Sequence, residues 1–238
     1  MVKKLVDLVL QSRIEESLAA LREIWDSSLD HASILRSLET ASLYAFNHRF
    51  PNIHVPKELE YLLRFLDGVP ESQRIDLLER FVEYIAWAPK YVDDSSGAYT
   101  SGASTLNDPL DSYHDAMERG KGMGGLFYLN EAVDRDLHGT LQALLRIGCV
   151  DVSQSIGHFF SCTDSVLSLA SQSGLPQARN HLFLLTMYLM QLRRFRIAEF
   201  RKPEGDLDQI LGELVKKGGF LEYHYVILVN GLIKRRTT

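Results

Sequence analysis

Cysteine is nearly absent from this chain. Cys149 and Cys162 are the only two among 238 residues. Two is too few for a disulfide framework, and no C-x-x-C occurs, so reduced thiols in a cytoplasm are the expected state. Long apolar runs are missing too. The most apolar stretches, residues 181–192 and 223–233, fall short of the roughly 20 residues that a membrane span needs. The first ten residues carry two lysines and then apolar side chains, but Asp7 interrupts them and no small-residue cleavage site follows. That pattern predicts an amphipathic first helix, no signal peptide and no membrane association. Nor is there a surplus of positive charge. Lysine and arginine number 26 against 31 acidic residues, a net charge of −5, which gives no reason to expect a polyanion partner. Several short motifs are also absent: G-x-x-x-x-G-K-[ST], G-x-G-x-x-G after a strand, H-E-x-x-H, G-x-S-x-G, E-x-x-H and zinc-ligand spacing. Their absence excludes most enzymes that a short motif reveals, but not those whose sites are assembled from scattered residues.

What remains is dominated by helix signals. Ser12 with Glu15 three residues on reads as a capping box, opening a helix with Ile14, Leu18, Leu21 and Trp25 on its apolar face. A second helix, capped by Asp30, runs from His31 towards His48 with Ile34, Leu35, Leu38 and Tyr44 in its stripe, and Pro51 stops it. Pro56 suits a first turn, ahead of Leu59, Leu62, Leu63 and Leu66, and Gly68 suits a C-cap. Pro70 opens a helix striped by Ile75, Leu78, Val82 and Ile85. The run from 88 to 111 is small, polar and flexible in composition, and a loop of that length is either a lid or a disordered insertion. Beyond it the spacing predicts a short helix from Asp111 to Arg119, a Gly-rich segment, and one long helix from Leu126 to Ile147. Further helices follow from Asp151 to Ser171, from Pro176 onward (apolar on most sides, hence central to the core) and from Asp206 to Lys217. Residues 220–236 fit either a helix or a strand, with helix preferred for want of a partner strand. The expected fold class is all-α: stacked antiparallel helical hairpins, forming a bundle or a short solenoid-like domain, with 1–238 as one domain and 88–111 as a flexible insertion. The best internal match, 31–50 against 138–160, needs a gap and is not a repeat.

Candidate chemistry falls on residues 111–162. Asp111, His114 and Glu118 have the spacing of one helix face, as do Glu131, Asp134 and His138, and His158 with Cys162. If the three faces converge, His114, Glu118, Glu131, His138 and His158 could ligate a transition metal. Alternatively His138 and His158, with Asp134 as orienting carboxylate, could do acid–base work. Arg119, Gly120, Lys121, Gly122 and Gly124 could bind an anion at a helix N-terminus. Each pattern also has a structural reading. The pairs can be exposed helix-face contacts, Glu131 and Asp134 first-turn charges, and Cys162 a small packing residue. The glycines can be a hinge, and His181 and His224 satisfied core residues. The basic run Arg193, Arg194, Arg196, Arg201, Lys202 with Lys234 to Arg236 can complement helix C-termini, and nucleic acid is not expected.

The run His138-Gly139-Thr140-Leu141-Gln142-Ala143-Leu144-Leu145-Arg146-Ile147-Gly148, with Ile156-Gly157-His158 after it, resembles questin-oxidase-like proteins, which are helical oxidoreductases. The resemblance covers a few dozen residues. It implies a helical fold and redox chemistry, and it carries no residue role across. Two functions are therefore expected: a His-lined interior pocket for a metal or small ligand, with oxidoreductase chemistry, or a helical scaffold without catalysis that binds another protein through a groove or edge, with the amphipathic N-terminal helix and the apolar C-terminal segment as surfaces for self-association or a partner.

Overall fold

In the computed structural model, the described residues are 1–27, 31–47, 50–90, 108–148, 157–191, 206–219 and 226. Several expectations fall outside them: the caps at Asp30 and Asp151, most of the 88–111 insertion, the basic runs at 193–202 and 234–236, and the helix-or-strand choice over 220–236. Among the described residues the chain is all-α, apart from one very short hairpin. No helix among them is long and apolar enough to cross a membrane. The chain divides into two compact units, one of residues 1–98 with 168–188 and one of 99–167 with 189–238.

The first unit begins with α1 (Val2–Leu10), α2 (Ile14–Asp26), α3 (His31–Leu43), α4 (His54–Phe65), a 3-10 turn (Leu66–Gly68) and α5 (Glu71–Trp87). The end of α9 (His158–Gln172), from Ser168 on, and α10 (Leu175–Leu189) complete it. α1 packs on α2, α3 and α5, α2 lies along α5, and α3 lies along α4. The expected stripes make the core: Ile34, Leu35 and Leu38 from α3, Leu59 from α4, and Leu78, Val82 and Ile85 from α5 are all sealed from solvent, with Leu5, Val9 and Leu169 among them. On α2 the buried face is rotated by about one residue. Ser17, Ala20, Leu21 and Ile24 are buried, while Ile14, Leu18 and Trp25 pack at the margin.

Three local expectations are corrected by backbone hydrogen bonding. The helix expected to run on to His48 ends at Leu43, and Phe46–Asn47 pairs antiparallel with Phe50–Pro51. Phe46 N–H donates to Pro89 O and Asn52 N–H to Ala45 O, each at 2.8 Å, so an extended backbone finds the partners a helix would have supplied. Ser12 does not cap α2, which starts at Ile14 with no side-chain cap. Instead it closes α1. At φ 58° it occupies the left-handed position, with its own N–H on Val9 O and that of Arg13 on Leu8 O, both at 3.0 Å. That is the Schellman pattern, which favours glycine at this position. Because a side chain there costs roughly 1–2 kcal/mol, Ser12→Gly is expected to raise stability by about 1 kcal/mol in urea denaturation. An unchanged or lower midpoint would count against this backbone.

The second unit contains α6 (Pro109–Glu118), α7 (Gly122–Arg135), α8 (Leu137–Gly148), α9 as far as Leu167, and α11 (Leu207–Lys217). α6 packs on α7, and α7 on α8. Pro109 takes the first helical position behind Asp108, whose carboxylate accepts from Leu110 N–H and Asp111 N–H. Asp206 caps α11 in the same way. The third correction concerns the single long helix expected over 126–147. It is two helices, parted at Asp136 in an extended conformation. Asp136 Oδ1 accepts from Gly139 N–H at 2.9 Å and its carbonyl accepts from Thr140 Oγ1 at 2.7 Å, an N-cap for α8. Gly139 leaves room for it, since a Cβ there would collide with the Asp136 carboxylate.

Candidate functional site

The break at Asp136 matters for the expected chemistry, because it puts Glu131 and Asp134 on α7 and His138 on α8. The helical spacing that would align these three on one face therefore does not apply. His138 is exposed, with its Nε2 2.8 Å from the side-chain amide of Gln142 one turn on. Asp134 is exposed and Glu131 buried. The other two sets do keep a common helix. On α6, His114 Nε2 lies 4.0 Å from Glu118 Oε1. On α9, His158 is half-buried and Cys162 is buried. Among the described residues no three His, Cys, Asp or Glu side chains come together in a way that could hold a metal.

The Gly-rich segment has backbone work of its own. Gly120, at φ +69°, ends α6 in a second Schellman turn, with Gly120 N–H on Met117 O at 3.0 Å and Lys121 N–H on Ala116 O at 2.7 Å. Gly122 and Gly124 lie in the first turn of α7 rather than in a loop before it. Of the two cations nearby, Arg119 pairs with Asp115 at 2.8 Å and Lys121 is exposed. Gly125 lies where α7 meets α6: a Cβ there would sit 3.2 Å from the Tyr113 ring and 3.3 Å from Ala116 Cβ.

The first unit holds a charged group that the sequence reading passed over. Glu39 lies on the buried face of α3, four residues after Leu35 and three before Ser42, all three being buried. Its Oε1 lies 2.7 Å from His181 Nε2 on α10 and 2.7 Å from Ser173 Oγ beyond α9. Arg36 lies 3.9 Å from its second oxygen. The His181 side chain is 0% exposed and that of Glu39 10%. Burial pushes the Glu39 carboxyl up. The hydrogen bonds from His181 and Ser173, with the charges of His181 and Arg36, outweigh that and hold it below the usual carboxylate range. A serine, a histidine and a carboxylate invite comparison with a nucleophilic triad, but the order is wrong. Ser173 Oγ sits on the carboxylate and on Leu169 O at 2.8 Å, whereas a nucleophile must sit on the imidazole. His181 Nδ1 is buried without a hydrogen-bond partner, and no substrate reaches a ring this enclosed. Glu39, His181 and Ser173 tie α3, the end of α9 and α10 together.

The surface of the same unit offers a groove. Ile14, at the start of α2, and Arg80, Glu83, Tyr84 and Trp87, along one face of α5, line about 340 Å³ of open space. The α5 residues are spaced i, i+3, i+4 and i+7, a single helix face. Trp87 is 67% exposed, the most exposed of the large apolar side chains described. Tyr84 is held in place by a hydrogen bond between its hydroxyl and the Asn52 amide at 3.1 Å. Arg80 and Glu83 take part in no ion pair among the described residues. At the end of α5, Lys90 Nζ donates to Ala86 O at 3.0 Å and Ala88 O at 2.6 Å, and burial pushes its pKa down to about 8. None of this is legible from local spacing, because it needs α2 beside α5. Only the surplus tryptophan past the buried stripe of α5 hints at it.

Comparisons with family models, with curated proteins and with solved structures find no match to this chain, so the likeness of 138–148 to questin-oxidase-like proteins has no wider match behind it.

Proposed function

We propose that this chain is a helical interaction module, and that its first unit receives a partner protein in the α2–α5 groove. The observation that carries the reading is Trp87, two-thirds exposed at the end of a helix whose Leu78, Phe81, Val82 and Ile85 are buried in the core. Large aromatic side chains are costly to leave in water, and tryptophan is the residue that most often anchors protein interfaces. The groove has an apolar floor of Ile14, Tyr84 and Trp87 and a rim with one cation and one anion, the composition of an interface centre with a polar margin. It is too open to bury most of a small molecule, which favours a macromolecular occupant over a metabolite.

A photoreactive benzoylphenylalanine at position 87 tests this in cells, with the same group at the exposed Thr40 on α3 as control. A discrete crosslinked product from position 87 and none from position 40 is the expected result. Equal or absent crosslinking at both positions would contradict the reading.

A further inference from the structure

We infer that the partner in this groove is a second copy of the chain, docked α5 against α5 across a two-fold axis. The inference rests on the interaction-module reading and specifies its occupant.

The groove face is self-complementary in charge. A two-fold contact brings the same patch together from both sides, so each charge must meet its opposite within that patch. The groove face carries one cation and one anion, Arg80 and Glu83, three residues apart on α5. Neither has an ion-pair partner among the described residues. An antiparallel crossing with its axis between them sets each Arg80 opposite the other copy's Glu83, giving two symmetric ion pairs. A parallel contact would instead set arginine against arginine. In the antiparallel arrangement Trp87, about one helical turn beyond Glu83 at 1.5 Å per residue, lies against the N-terminal half of the other α5. That covers the apolar surface that a lone copy leaves in water. A patch of five residues is at the small end of interface sizes, so the dimer is weak and forms with rising concentration.

Sedimentation equilibrium on the full chain, with charge-reversed variants, tests it. The wild type is expected to rise from one chain mass towards two as concentration increases. Arg80→Glu sets carboxylate against carboxylate and Glu83→Arg sets cation against cation, so each variant alone is expected to associate at least about tenfold more weakly. Mixed in equal amounts, the two variants carry opposite charges at every contact, and association is expected to return to within about threefold of wild type. Both sites are exposed, so neither substitution threatens folding. A wild type that stays at one chain mass throughout, or a mixture no stronger than its components, would overturn the second-copy inference. The position-87 crosslink separates the two levels. A product with a different protein and none with itself leaves the module reading standing and removes the dimer, whereas no product removes both.

Discussion

Glu39→Ala is expected to destabilise the protein by about 3–5 kcal/mol, the usual cost of removing one partner from a buried charged pair. The loss has two parts. The carboxylate that accepts from His181 and Ser173 disappears, leaving both ring nitrogens of His181 without partners in a site closed to water, and a small cavity opens beside Leu35 and Ser42. Glu39→Gln separates charge from shape. The amide oxygen can still accept from His181, so the expected loss is about 1–2 kcal/mol, the range for a weakened buried hydrogen bond. Acid denaturation gives an independent check. The folded carboxyl lies below its usual range. Its stabilising effect is therefore complete above the unfolded value of about 4.3 and is lost as pH falls through the lower folded value. Glu39→Gln is expected to flatten the stability curve over that acid interval. An Ala variant as stable as wild type, or a Gln variant with an unchanged acid limb, would show that the pair contributes little.

Gly125→Val is expected to cost about 1–3 kcal/mol, the usual penalty for overpacking a tight contact. Gly125 is buried where α7 meets α6, and the nearest atoms to a new side chain belong to Tyr113, itself fully enclosed, and to Ala116. Neither can swing aside. Gly124, one residue earlier, has nothing within 4 Å of a Cβ. Gly124→Ala should therefore gain a few tenths of a kcal/mol, about half of the helix-propensity difference because the site is in the first turn. Thermal unfolding of the two variants distinguishes a packing role for these glycines from an open anion-binding loop. In such a loop both substitutions would be tolerated alike.

Much of the helical layout can be read from local chemistry. The capping carboxylate of Asp206 and the proline near the start of α10 stand where their backbone roles require. The stripe Ile34, Leu35, Leu38 faces inward because helical spacing leaves it no other choice. The failures have equally definite causes. The apolar rhythm of residues 126–147 runs unbroken through Asp136, so periodicity reports one helix. The break is made by a side chain accepting a backbone N–H three residues on, and only the Asp136–Gly139 pair could have signalled it. Ser12 followed by Glu15 fits a start signal, yet the same serine ends the previous helix, because a stop in the left-handed region usually advertises itself with glycine. Glu39 sits on its stripe in perfect register and is overlooked because a charge is assumed to face water. Its partner His181 is 142 residues away in sequence, beyond any spacing rule. The candidate site was the least legible part for the same reason. The groove exists only once α2 and α5 lie side by side, whereas spacing reveals single-helix pairs such as His114 with Glu118.

A binding groove on α5 requires Trp87 to be open to solvent in the free chain, as its 67% exposure has it. The protein has two tryptophans, Trp25 and Trp87, so Trp25→Phe leaves the groove with the only indole. Acrylamide quenching of that variant, at a concentration low enough to keep the chains apart, measures exposure directly. Quenching close to that of free tryptophan, with red-shifted emission, is the expected result. A shielded indole with blue-shifted emission would mean that the chain fills its own groove, and the binding surface would not exist.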